Sequence, residues 1–253
     1  MNSPDVPPMI QAVGLACVPV DDIPPGTPLT RKPVAAAVVS LIERDDGHRD
    51  VAITCVSDAR DMEFPLPVLV DEALVAAALI IMTAADSEVL AVEAAARRFF
   101  VEPRLAALTA DGTLADPVAM FGPGHEEAAL CRRLGIPANL VPDSDVARWW
   151  NRSAPGAAEG VALIAAVSRL MLWAHAAAFL NGRPDAFFET LVPLRERLMD
   201  LQDERPALKA MLASRPFGRA ASFAGYYREY RAKRDAGDDQ TPWLTFEDGL
   251  SYV

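Results

Sequence analysis

The sequence predicts an α/β fold built on a mixed sheet, and three observations carry that reading. Residues 9–57 hold three apolar, β-branched runs, two of them flanking an Asp-Gly pair, which is a hairpin signal. Residues 64–108 then alternate short apolar runs with helical patterns, the rhythm of parallel strands joined by helical crossovers. From Gly124 onward helical periodicity dominates.

Taken in order, Met9 to Val20 is rich in Val, Ile and Leu without helix caps, and predicts a central strand. Asp21 to Arg31 carries Pro24, Pro25 and Pro28 and predicts a loop. Val34 to Glu43 and Asp50 to Ser57 are strands around Asp46-Gly47, so the first three elements predict an antiparallel meander. Phe64-Pro65-Leu66-Pro67 reads as a connector, and Asp71 as the cap of a short helix, Glu72 to Ala78. Leu79 to Thr83 is a short buried strand, and Asp86 an N-cap for a helix from Ser87 to Phe100. A further strand is expected over Leu105 to Leu108.

The stretch 113–150 has the densest punctuation. Asp116 closes an apolar run, Gly122-Pro123-Gly124 makes a turn, and Leu134-Gly135-Ile136-Pro137 stops a short helix. Asp143-Ser144 caps a helix ending in Trp149-Trp150. Long helices follow at Ala157 to Leu180 and Pro184 to Glu204, the second expected to kink or break at Pro193. Pro206 to Ala213 and Arg219 to Asp235 complete the set. Gly237 to Val253 is acidic and expected to be irregular, with Trp243, Leu244 and Phe246 as docking residues. The expected division is a sheet domain over 1–183 and a helical extension over 184–253 packing on it.

Composition narrows the function classes. A chain of 253 residues can bury roughly 70–75% of its unfolded surface, so its core needs no staples. A net charge of -11 opposes a surface that coats nucleic acid generally, although a local basic groove remains compatible with it. Cys17, Cys55 and Cys131 are widely spaced, and His48, His125 and His175 equally scattered, so neither a disulfide framework nor a zinc cluster is expected. The N-terminus has no basic stretch leading into an apolar core, which predicts a cytoplasmic chain. The longest apolar run, Val161 to Leu180, contains Arg169 and His175. It reads as a buried helix, not a membrane span.

Several groups could carry chemistry. Ser214 to Arg234 interleaves Arg215, Arg219, Arg228 and Arg231 with Phe217, Phe223, Tyr226 and Tyr227. Its first reading is a docked helix with aromatic residues inward and arginines in water. Its second is a surface for single-stranded nucleic acid, with bases stacked on rings. Trp149-Trp150 beside Arg148 has the same two readings. His125 and His175 have no nucleophile or carboxylate nearby in sequence, so a catalytic triad has no support. The Gly-Pro-Gly turn is not a phosphate-loop fingerprint.

The element order is that of the ribonuclease H-like fold. With Leu114-Ala115-Asp116-Pro117, Leu134-Gly135-Ile136-Pro137 and Asp143-Ser144-Asp145-Val146 through Trp149 added, residues 9–183 resemble the DEDD-type 3′–5′ exonucleases. The closest group is the predicted exonucleases similar to the proofreading domain of family B DNA polymerases. The resemblance implies four carboxylates clamping two divalent metals about 3.5–4 Å apart. It places an Asp-x-Glu on the first strand near Ala16 and Val18, a third Asp near Asp86, and a Tyr-x-x-x-Asp on the last helix near Ala162 and Ala166. Most of these positions hold no acid. Asp116 matches an accessory position, with Leu114 in place of a His and Asn139 where Lys is usual.

Two expectations follow. The first is a degenerate two-metal site, needing no cofactor, in a module that binds single-stranded nucleic acid or a protein and no membrane. Asp86 and Asp116 are then remnants of the catalytic set. The second is an active Mg²⁺- or Mn²⁺-dependent exonuclease using Asp21, Asp22, Asp86 and Asp116. An unrelated Ala-rich α/β domain is a third reading, and a different sheet order would favour it.

Overall fold

The computed structural model describes residues 9–20, 30–45, 48–58, 65–75, 78–96, 114–138, 141–152, 154–180, 184–205 and 207–236. Asp21 and Asp22, the strand expected over 105–108 and the tail over 237–253 lie outside them.

Strands β1 (Met9–Pro19), β2 (Arg31–Glu43) and β3 (Arg49–Ser57) form the expected antiparallel meander. β4 (Leu79–Ile81) adds to β1 in parallel, and β5 (Leu114–Ala115) adds to β4 in parallel. The result is a five-stranded mixed sheet in the order β3-β2-β1-β4-β5. The β1–β2 register shifts between Ala16 and Cys17, and such irregularities re-aim side chains where a strand leaves regular pairing.

Strand alternation sorts β1 onto two cores. Ile10, Ala12 and Ala16 face one cluster, and Val13, Leu15 and Cys17 face the other. The second core is closed by α1 (Leu66–Ala73) and α2 (Ala84–Ala96), which bring Leu66, Val70 and Leu90, with Leu74 just past the end of α1. The first core is built on α5 (Pro155–Phe179), a 25-residue helix lying across β1 and β2. Small residues allow a close approach here. A Cβ on Gly14 would come within 2.2 Å of the Ala162 carbonyl oxygen and 2.4 Å of the Ala166 nitrogen. Among the described residues α5 is the one helix long and apolar enough to cross a membrane, and 94% of its apolar window is buried inside the fold.

Between β5 and α5 lie a 3-10 turn (Ala119–Phe121), α3 (Glu127–Leu134) and α4 (Asp143–Asn151). The Leu-Gly-Ile-Pro stretch joins α3 to the core. Gly135 takes a left-handed φ of 71° beyond the end of α3, Ile136 is buried, and the Pro137 carbonyl accepts the Ser168 hydroxyl at 2.7 Å. After α5, helices α6 (Pro184–Leu201), α7 (Leu208–Leu212) and α8 (Arg215–Asp235) share its core through Leu191, Leu194, Met211 and Phe217.

Some expected elements are moved. The first helix begins at Leu66 and ends at Ala73, before the expected span is complete. Pro67 sits in its first turn, where a missing N–H costs nothing, and Asp71 is buried inside it. α6 continues through Pro193 to Leu201. α8 begins at Arg215, a turn earlier than expected.

Candidate functional site

The C-terminal ends of β1 and β4, the exit of β5 and the start of α2 open onto a cleft of about 400 Å³. Leu15, Ala16 and Cys17 line its strand side, with Thr83, Asp86 and Asp116 beside them. Arg31, Glu127 and Asp143 line it from β2, α3 and α4, and Val161, Ala165 and Arg169 from α5. Both carboxylates singled out in the sequence, Asp86 and Asp116, therefore share one cleft. Glu127, Asp143, Arg31 and Arg169 complete the charged set.

Asp86 is not the cap expected of it. The Thr83 hydroxyl accepts the Asp86 N–H at 3.3 Å, three residues on, so Thr83 caps α2. The Asp86 carboxylate turns inward and is buried. Asp116 accepts the Ala84 N–H on one oxygen at 3.1 Å and the Val118 and Ala119 N–H groups on the other at 2.9 and 3.3 Å. It thereby ties the start of α2 to the turn after β5.

Arg169 dominates the interior of the cleft. It is 5% exposed and donates to Asp86 Oδ2 at 2.6 Å and to the Val13 carbonyl at 2.9 Å. It also donates to both oxygens of Glu127, at 3.1 and 3.4 Å. Burial alone would pull the guanidinium down, but Asp86 and then Glu127 outweigh it and hold Arg169 charged well above its ordinary range. The desolvation cost of such a group is several kcal/mol and is repaid only by this kind of full hydrogen bonding.

At the mouth, Asp143 is likewise not a cap: no side-chain cap bond forms at α4, whose N-cap is Pro142. The Asp143 carboxylate instead takes a bidentate pair from Arg31 at 2.5 and 2.9 Å. This bond to Asp143 is the main cause holding Arg31 above its ordinary range. Cys17, between the two arginines, is buried and its thiol is pushed up to about 12, chiefly by that burial. At neutral pH it is therefore a thiol and not a nucleophilic thiolate.

The helix positions are shifted by one stripe from those expected. Ala162 and Ala166 pack against Gly14 and are fully buried. The residues of α5 that face the cleft are Val161, Ala165 and Arg169, spaced by four. The charged residue that this helix presents to the cleft is Arg169, three residues beyond Ala166, near which the resemblance implies an acid. On the first strand Ala16 lines the cleft, while Val18 packs against the α5-side core.

The residues do not fit a two-metal centre. Among the described residues no three His, Cys, Asp or Glu side chains gather as a metal-holding group. A cation between Asp86 and Glu127 would also have to displace the buried Arg169 guanidinium, which already bonds both.

The basic and aromatic stretch is split by its helix. Arg215 and Arg219 line a second pocket of about 340 Å³. Tyr226 is exposed, whereas Tyr227 is buried and stacked on Phe188 with centroids 5.7 Å apart, so its face is not open to a base. Arg228 pairs with Glu196 at 3.2 Å. The side chain of Arg231 lies outside the described residues. Trp149 and Trp150 are half-buried against the core. His175 is buried, its Nδ1 at 2.8 Å from the Met171 carbonyl, and burial lowers it to about 4.

Sequence reasoning singled out Asp86 and Asp116 but missed Arg169, Glu127, Asp143 and Arg31. One signal was present for Arg169: a lone charge inside an apolar helix must find carboxylate partners if it is buried.

Fold and site together define an α/β protein with a mixed sheet and an ion-paired cleft at the ends of its parallel strands. Compared with known protein families, curated proteins and solved structures, the chain matches none.

Proposed function

We propose that this chain is a ribonuclease H-like, exonuclease-type domain that does not hydrolyse phosphodiesters and acts as a binding module for single-stranded nucleic acid or a protein partner. The sheet order supports the fold assignment: an antiparallel meander with two parallel strands added beside its first strand. Asp86 and Asp116 stand just beyond β4 and β5, at the strand ends where an open sheet places its ligands. The loss of catalysis rests on one observation, the Arg169 guanidinium bonded to Asp86 and Glu127 inside the cleft. A fixed internal cation neutralises the carboxylates without supplying the Lewis acidity or activated water that phosphodiester hydrolysis needs.

One observation favours a second reading, an active Mg²⁺- or Mn²⁺-dependent 3′–5′ exonuclease: four carboxylates, Asp86, Asp116, Glu127 and Asp143, line the same cleft. Incubating the purified chain with 5′-labelled single-stranded DNA or RNA and either metal separates the two. No shortening from the 3′ end is expected. Metal-dependent digestion that Asp86→Ala or Asp116→Ala abolishes would overturn the non-catalytic reading.

A further inference from the structure

The second pocket differs in chemistry from the cleft. Its wall is apolar: Phe121 from the 3-10 turn, Leu130 and Leu134 from α3, and Phe179 from α5. His175 adds a flat ring to that wall. It is held neutral at ordinary pH and lies perpendicular to Phe187, with centroids 5.0 Å apart. Three guanidinium groups line the same pocket, Arg133 from the last turn of α3 and Arg215 and Arg219 from the start of α8.

The pocket is built by the backbone. Gly135, with φ 71°, ends α3 so closely against α8 that a Cβ there would meet the Arg215 Cβ at 3.1 Å. That approach sets Arg215 and Arg219 over the apolar wall beside Arg133. In a chain of net charge -11, three arginines at one pocket are a local exception. Guanidinium forks suit phosphate and carboxylate oxygens, and a volume of about 340 Å³ falls in the range of small-molecule sites.

We propose that this pocket binds a small organic anion with a planar, apolar body, its phosphate or carboxylate held on the arginines. Phe121 and Phe179, both half-buried, take the planar body, and the buried His175 backs the wall behind Phe179. Burial and the like charge of Arg215 together hold Arg219 below its ordinary range, and a bound anion offsets both. The inference rests on this pocket alone. The nuclease assay addresses the other cavity, so either reading can fail without the other.

The test is a calorimetric titration of the full chain with 2-naphthyl phosphate and 2-naphthoate, with 2-naphthol as the uncharged counterpart. Both anions are expected to bind at least about tenfold more tightly than 2-naphthol, a ratio worth about 1.4 kcal/mol. Arg219→Gln and Arg133→Ala should each remove most of that advantage, while Arg219→Lys keeps part of it. Arg133 is exposed on α3, so its truncation leaves the fold intact even if the Arg219 variants are unstable. An AMP arm identifies the source of the ligand. Binding comparable to 2-naphthyl phosphate assigns nucleotides or nucleic-acid ends, and its absence assigns other aromatic anions. Equal binding of 2-naphthol and the anions, no effect of Arg133→Ala, or loss on Arg31→Gln in the cleft instead would overturn the proposal.

Discussion

The two cavities share two helices and treat charge in opposite ways. α3 gives Glu127 to the cleft and Leu130, Arg133 and Leu134 to the pocket; α5 gives Arg169 to the cleft and His175 and Phe179 to the pocket. Six residues separate Arg169 from His175, about 9 Å along the helix axis. In the cleft, acids from four segments converge, and two arginines from the same chain meet three of them, while backbone N–H groups meet Asp116. In the pocket, arginines from two helices converge on an apolar wall. A count of charged residues in a cavity says little about its function, since in the cleft Asp86, Glu127 and Asp143 are already bound by arginines of the same fold. The cleft holds the richer set of titratable groups, yet its charges are used in holding the fold together.

The largest effect should come from breaking the cleft at its centre. Arg169→Ala leaves the buried Asp86 and half-buried Glu127 without their shared partner. Removing one member of a buried ion-pair set costs about 3–5 kcal/mol, read as a lower urea midpoint at unchanged slope. The triple change Arg169→Met, Asp86→Asn and Glu127→Gln should recover much of that loss, because no unpaired charge remains buried.

The pocket side should respond to acid. The folded state holds His175 at about 4 against an ordinary 6.5. The unfolded chain therefore binds a proton that the folded one refuses. This contribution to stability is complete above about pH 6.5 and falls as pH drops towards about 4, by a few kcal/mol at most. His175→Leu should flatten that part of the stability curve relative to the parent chain, in chemical denaturation at stepped pH.

A smaller change should act on both the fold and the pocket. Gly135→Ala forces a side chain into the left-handed region, at a cost of about 1–2 kcal/mol, and crowds the Arg215 Cβ. Its thermal midpoint should fall modestly while anion binding weakens more than tenfold at constant cleft structure. An unchanged affinity would show that the approach of α8 to α3 does not set the pocket.

What was legible in the sequence follows the range of the interactions involved. The meander and the strand-helix alternation were readable because β-branched runs, an Asp-Gly pair in the sequence and helical patterns are local signals. Leu-Gly-Ile-Pro was readable as a helix stop for the same reason, since only a residue such as Gly135 takes φ 71° without strain. Asp86 and Asp143 were misread as caps because the local window shows a short acid before a helix and nothing else. Their partners lie 83 and 112 residues away, and only the fold brings them together. The start of α1 was displaced because prolines at 65 and 67 look like a connector until one turn of helix is built on them. The cleft-facing side of α5, Val161, Ala165 and Arg169, was not readable because the helix is apolar all round and periodicity leaves that side undefined.

In the non-catalytic reading, Arg169 fills the place a divalent cation would need. Electron paramagnetic resonance of free Mn²⁺ during titration of the chain tests it directly. The free-ion signal is expected to track total Mn²⁺ at micromolar protein, with no saturable uptake. Stoichiometric uptake that Asp86→Ala abolishes would contradict it.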